Sequence, residues 1–126
     1  MVTADDVRTI ASALPRSYEV LVRDRVKFRV GKIVFLSLSP DETVLGFGYP
    51  KEERAGLVAG EPEKFHLPIL SDMRYNWLRV WLAAVDHEEL QQLVVDSWRM
   101  CVPKKVWNDY LAGLAGPSPL AIVASP

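Results

Sequence analysis

The first fifteen residues carry a helical period. Val7, Ile10, Ala11 and Leu14 form an apolar stripe behind Thr3, and Pro15 ends it. Thr3 with Asp6 three residues on has the form of a capping box, with aspartate where glutamate is usual, and Asp5 suits the positive helix end. Between residues 18 and 49 the period drops from 3.6 to 2. In the run VLVRDRVKFRV, Val22, Val26, Phe28 and Val30 share one face, interrupted by Asp24, while Arg23, Arg25, Lys27 and Arg29 share the other. That alternation predicts one half-buried antiparallel strand. Gly31 and Lys32 precede a second β-prone segment, KIVFLSLS. A turn at Pro40, Asp41 and Glu42 leads into a third, TVLGFGY. Three or four strands in meander order result.

Pro50 predicts the opening of a second helix, with Glu52 and Glu53 in its first turn and Gly60 just past its end. Residues 65–69, which include Pro68, suit a short edge strand. Residues 76–83 predict a further strand, in which Leu78, Val80 and Leu82 alternate with Trp77, Arg79 and Trp81. Asp86 caps a helix with Glu89 at the capping-box position and an apolar stripe of Leu90, Leu93, Val94 and Trp98. Pro103 starts a last short helix, in which Val106, Trp107, Tyr110 and Leu111 can pack inward. The layout is a single α+β domain over residues 1–112, with one antiparallel sheet meander and helices at both ends packed on one face. The Gly-, Ser-, Pro- and Ala-rich residues 113–126 are expected to form a flexible tail.

Composition narrows the function classes. A formal charge of -1 excludes a polybasic tail, so any polyanion contact has to come from a local patch. Charge is in fact segregated. Six basic residues between Arg16 and Lys32 face only Glu19 and Asp24, whereas six acids between Asp41 and Lys64 face three basic residues. Cys101 is the single cysteine, which rules out an intrachain disulfide and a multi-cysteine metal site. The start MVTADD lacks the basic and apolar run of a signal peptide, and no stretch has the length of a membrane span, so a cytoplasmic protein is expected.

Three groups could carry chemistry. The row Arg23, Arg25, Lys27 and Arg29, followed by Lys32, sets cations at about 6.6–6.8 Å intervals, able to follow phosphates; a solvated strand face is the competing reading. Trp77, Arg79 and Trp81, preceded by Tyr75, could stack bases around a cation, unless helices cover them as core. Arg99, Lys104 and Lys105 meet at a helix junction, as anion seekers or as ordinary surface. His66 and His87 stand in unrelated contexts, and Cys101 lies in apolar company. No catalytic constellation, metal site or cofactor-binding loop is found, and the glycines at 46 and 48 suggest a bulge or close packing.

Four segments carry a resemblance: TADDVRTIASALP, FRVGKIVFLSL, YPKEERAGLVAGEPEKF and WLRVWLAAVDHEELQQLVVDSWRMCVPKKV. In this order and spacing the chain resembles the MmcQ/YjbR-like proteins, small bacterial domains commonly described as DNA-binding. Asn76 stands before Trp77 where the family pattern has glycine. The resemblance implies a frataxin-like or double-wing α+β fold, whose antiparallel sheet is proposed to face DNA, and it implies no catalytic residues. A frataxin-like iron role would need an acidic ridge, whereas Asp5 and Asp6 are accounted for as caps and the next strand is basic. The expectation is therefore a non-enzymatic module that contacts nucleic acid, DNA in particular, through phosphates. The alternative is a protein-interaction or assembly module.

Overall fold

The computed structural model describes residues 2–115. Thr3 and Asp6 cap helix α1 (Ala4–Ser12) reciprocally, since the Thr3 hydroxyl accepts from the Asp6 N–H and the Asp6 carboxylate accepts from the Thr3 N–H at 2.7 Å. Four strands follow in meander order: β1 (Ser17–Val22), β2 (Arg25–Val30), β3 (Ile33–Leu38) and β4 (Val44–Gly48). After α2 (Arg54–Gly60) come β5 (Phe65–His66), β6 (Trp77–Trp81), α3 (His87–Arg99) and α4 (Lys104–Ala115). All pairings are antiparallel, in the spatial order β1-β2-β3-β4-β6-β5. The α+β layout with one antiparallel sheet is thus the observed one. α2 begins four residues after Pro50, because residues 51–53 form a turn first. The last helix runs to Ala115, and the remainder of the expected tail, 116–126, lies outside the described residues.

One expectation is corrected. The run VLVRDRVKFRV is a hairpin rather than a single strand. Arg23 and Asp24 are its two turn residues, both with positive φ (52° and 65°). Positive φ at both central positions is what the right-handed twist of the flanking strands requires of a two-residue turn. The turn reverses the parity of the run. Val22 pairs with Arg25, so it lies on the face of Arg25, Lys27 and Arg29 instead of opposite them. A second irregularity adjusts β3. Phe28 pairs with Leu36 and Arg29 with Val34, so Phe35 is an extra, bulged residue, and adjacent Phe35 and Leu36 are both buried.

The core lies between one sheet face and the helices. Phe28, Leu36, Leu38, Leu45, Phe47, Leu78 and Val80 point into it, met by Val7 and Ala11 of α1 and by Leu90, Val94 and Trp98 of α3. The Trp98 indole N–H donates to the Pro15 carbonyl at 2.8 Å, and its ring meets Tyr110 of α4 edge-on at 5.0 Å, joining three helical segments. At the helix start Asp86 accepts from the Glu89 N–H as expected, but the Glu89 carboxylate turns to Lys64 at 3.0 Å instead of closing the box.

Among the described residues Arg54 is the one buried cation, 6% exposed. It pairs with no carboxylate. Its guanidinium donates to the carbonyls of Met73, Tyr75 (2.8 Å) and Trp77 (3.1 Å), and so fixes the segment that leads into β6. Arg54→Leu keeps the volume but strips three carbonyls of a charged donor. A loss of about 3 kcal/mol is expected in urea unfolding; unchanged stability would mean that water serves these carbonyls equally well.

Candidate nucleic-acid interface

The helices cover one face of the sheet: α1 packs on β1, and α3 on β3 and β4. Strand register defines the other face. One transverse row runs Val20, Lys27, Ser37, Gly46, Arg79, His66 across six strands. Arg25 and Arg29 flank Lys27 on β2, while Trp77 and Trp81 flank Arg79 on β6. The two groups that the sequence suggested separately therefore share one face, about 14 Å apart across three strand spacings. The helix-covered reading of the tryptophans does not hold, since Trp81 is 45% exposed and Trp77 half-buried.

Local packing sets the indoles. A Cβ at Gly46 would lie 2.8 Å from the Trp77 ring, so the absent side chain is what lets that indole lie across β4. Gly46 is a site of close packing, as its place in a strand suggested. Beside it Arg79 donates from Nε (3.0 Å) and Nη2 (2.6 Å) to the Leu67 carbonyl, and the rest of the guanidinium has no hydrogen-bond partner among the described residues.

His66, set aside in the sequence as a histidine in an unrelated context, belongs to this face. Its ring stacks on Trp81 at 5.0 Å between centroids, tilted by 35°. Burial, and then the neighbouring Arg79 charge, hold its pKa below the ordinary histidine value. Its imidazole is therefore expected to be neutral at pH 7, with an NMR titration midpoint below about 6.5. The unfolded chain takes up this proton first as pH falls, so His66 subtracts stability on acidification from about pH 6.5 downward. A midpoint above 6.5 would place the ring in water instead.

The cations of β2 are accessible and unneutralised. Arg25 is exposed, and Lys27 and Arg29 are half-buried. Arg23 stands in the β1–β2 turn and Lys32 in the β2–β3 turn, at opposite ends of the row and not within it. Among the described residues no carboxylate comes within ion-pair distance of Arg23, Arg25, Lys27, Arg29, Lys32 or Arg79. Glu19, next to the row in sequence, points to the helical side and is held by Arg8 of α1 at 3.1 Å. The Nε of Arg29 is buried without a hydrogen-bond partner, which leaves a donor of the row unused.

The third group stays apart. Lys104 and Lys105 open α4 in the helical layer, where Lys105 lies 3.8 Å from Asp109. Arg99 sits 3.9 Å over the Trp107 ring and 3.7 Å from Asp96. It thereby lines, with Tyr49, Glu53, Asp96, Met100 and Trp107, an open depression of ≈ 460 Å³. Cys101 is half-buried, and burial raises its thiol pKa, so it has no activated thiolate. Asn76 accepts from the Lys51 N–H at 3.0 Å through its side chain, a bond that the glycine of the family pattern could not supply.

The YjbR family model matches residues 12–100, which hold the whole sheet, α2 and α3. The chain belongs to the YjbR family. A crystal structure of Deinococcus radiodurans protein DR2400, with the family domain DUF419, is similar over 86% of this chain and 88% of its own, at a TM-score of 0.71 and 21% identity. That likeness shows the fold. No curated protein matches the sequence. Among the described residues of this YjbR domain, no helix is long and apolar enough to cross a membrane.

Proposed function

We propose that this YjbR domain is a non-enzymatic, cytoplasmic module that binds nucleic acid, DNA in particular, on the open face of its sheet, chiefly through phosphates. One observation carries the reading. Arg25, Lys27 and Arg29 stand along β2, unpaired with any described carboxylate, on the same uncovered face as Trp77, Arg79 and Trp81. A solubility device needs only scattered surface charge. A continuous face that joins a cation row to indoles supplies the two things a polynucleotide presents, phosphate charge and base rings. Arg23 and Lys32 extend the row at either end.

With three to five phosphate contacts, affinity should fall steeply with ionic strength. Raising salt from about 50 to 200 mM is expected to weaken binding by roughly one to three orders of magnitude in a fluorescence titration. Salt-independent binding, or none at micromolar protein, removes the proposal.

A protein-interaction reading draws on a different surface. Ile69 (56%) and Leu70 (90%) are exposed in the loop beside edge strand β5. If that loop is an assembly surface, light scattering should show a mass that grows with concentration and reverts with Leu70→Ser.

A further inference from the structure

We infer that the occupant of the open sheet face is a single-stranded nucleic acid, with a base stacked at Trp81 and the phosphates running toward Arg79 and the β2 cations. This inference rests on the nucleic-acid reading above and narrows its ligand.

The first ground is steric. A duplex hides its base faces, and its major groove admits a helix or a two-stranded ribbon, not the breadth of a sheet. A duplex can therefore reach this face only with its backbone or by taking in the β1–β2 hairpin. In the second case it meets Arg23, Arg25 and Lys27 and leaves Trp81, about three strand spacings from Lys27, without a role. A single strand presents unstacked bases to the same surface.

The second ground is the construction of the aromatic end. Trp81 is 45% exposed, yet it does not swing freely, because His66 stacks against it. Trp77 is pressed over Gly46, and Arg79 between them is held by the Leu67 carbonyl. Ring, cation and ring at a two-residue period thus form a largely pre-ordered platform, which loses little side-chain freedom on binding. Neutral His66 adds a further flat surface without adding charge.

The third ground is electrostatic. Asp41 and Glu42, in the turn that joins β3 to β4, line with Trp81 a depression at the end of these strands. Asp41 is kept ionised there, its pKa lowered by hydrogen bonds from Ser39 and Thr43. These carboxylates oppose a phosphate backbone lying over Trp81, as a duplex spanning the face would require, but they tolerate a neutral base. The acidic turn therefore borders the face at the strand ends that carry Trp81 and Arg25, while the row of Lys27, Ser37, Gly46 and Arg79 lies two residues further in. A strand with a base on Trp81 and its phosphates along that inner row keeps its charge away from these carboxylates.

The test compares a labelled 20-nucleotide oligo-dT with a hairpin duplex of mixed sequence, by fluorescence anisotropy at about 50 mM salt, for wild type, Trp81→Ala, Trp81→Phe and Arg25→Glu/Lys27→Glu. The expected result is tighter binding of oligo-dT. Trp81→Ala should weaken it roughly 5- to 150-fold while duplex binding stays unchanged, in keeping with the loss of one stacked base, and Trp81→Phe should restore most of the loss. The double charge reversal should weaken both ligands. Equal or tighter duplex binding, or Trp81→Ala without effect on oligo-dT, overturns the single-strand inference and leaves the nucleic-acid reading standing. No binding of either ligand overturns both, as does equal displacement of oligo-dT by polyglutamate, which would reduce the face to a general anion binder.

Discussion

Trp98→Ala is expected to cost the fold about 4 kcal/mol, the largest single loss among the side chains described and a large share of the roughly 5–15 kcal/mol that holds a domain of this size. Three contributions combine. The residue is fully buried, so truncation removes the whole transfer energy of an indole and opens a cavity between α1, α3 and α4. The indole N–H is the partner of the Pro15 carbonyl, which closes α1 onto α3 across 83 residues of sequence, and that carbonyl would lose its donor. The edge-on contact with Tyr110 disappears as well, and with it a principal hold on α4. Urea unfolding monitored by circular dichroism measures the cost. Trp98→Phe refills much of the cavity but supplies no N–H, so its smaller loss reports mainly the hydrogen-bond share, and the difference from Trp98→Ala reports the packing share. A cost below 1 kcal/mol for Trp98→Ala would mean that α4 and the Pro15 turn collapse into the gap without strain. The open face contains no part of this cluster, so any folded remainder should keep its ligand.

The elements that were legible in the sequence are those that announce themselves locally. The Thr3–Asp6 cap, the stripe ending at Trp98, the alternation at residues 77–81 and the edge position of Phe65 follow from spacing within a few residues. The β1–β2 turn did not announce itself, because arginine and aspartate stand where asparagine and glycine would have signalled positive φ at both positions. An uninterrupted alternation on either side of Arg23 and Asp24 then read as one longer strand. The bulge at Phe35 was hidden for a similar reason: an apolar run such as IVFLSL looks the same with or without an extra residue. The site was half legible. Periodicity marked two sets of outward side chains, but only the long-range register β2-β3-β4-β6 puts them on one face, and no local pattern encodes that. His66 was invisible for the same reason, since its partner Trp81 reaches it through strand pairing and not through sequence spacing. In the sequence Arg54 was only one of three basic residues among six acids, and only its burial against the carbonyls of residues 73–77 reveals its role.

The second large effect falls on binding and should leave the fold alone. Arg25→Glu/Lys27→Glu is expected to lower nucleic-acid affinity at least about a hundredfold at low salt, since each charged contact removed is worth roughly 1.5–3 kcal/mol and each new carboxylate repels the backbone. The salt dependence should flatten as well. Losing two phosphate contacts reduces the slope of log affinity against log salt by about 1.8 for a duplex and about 1.4 for a single strand. Stability should change by no more than about 0.5 kcal/mol per site, because the cross-strand neighbours are Val22 for Arg25 and Val20 and Ser37 for Lys27, none of which is charged. The new glutamates would therefore face no like charge directly across the sheet. That separation of effects gives the variant its force. A loss of binding with normal unfolding assigns the row to a ligand, whereas loss of both would make Arg25 and Lys27 part of the scaffold. Lys104→Glu/Lys105→Glu carries the same charge change on the helical layer, and it should leave affinity within about twofold. If both double variants weakened binding equally, the long-range field of the molecule would be responsible, and the sheet face would lose its claim.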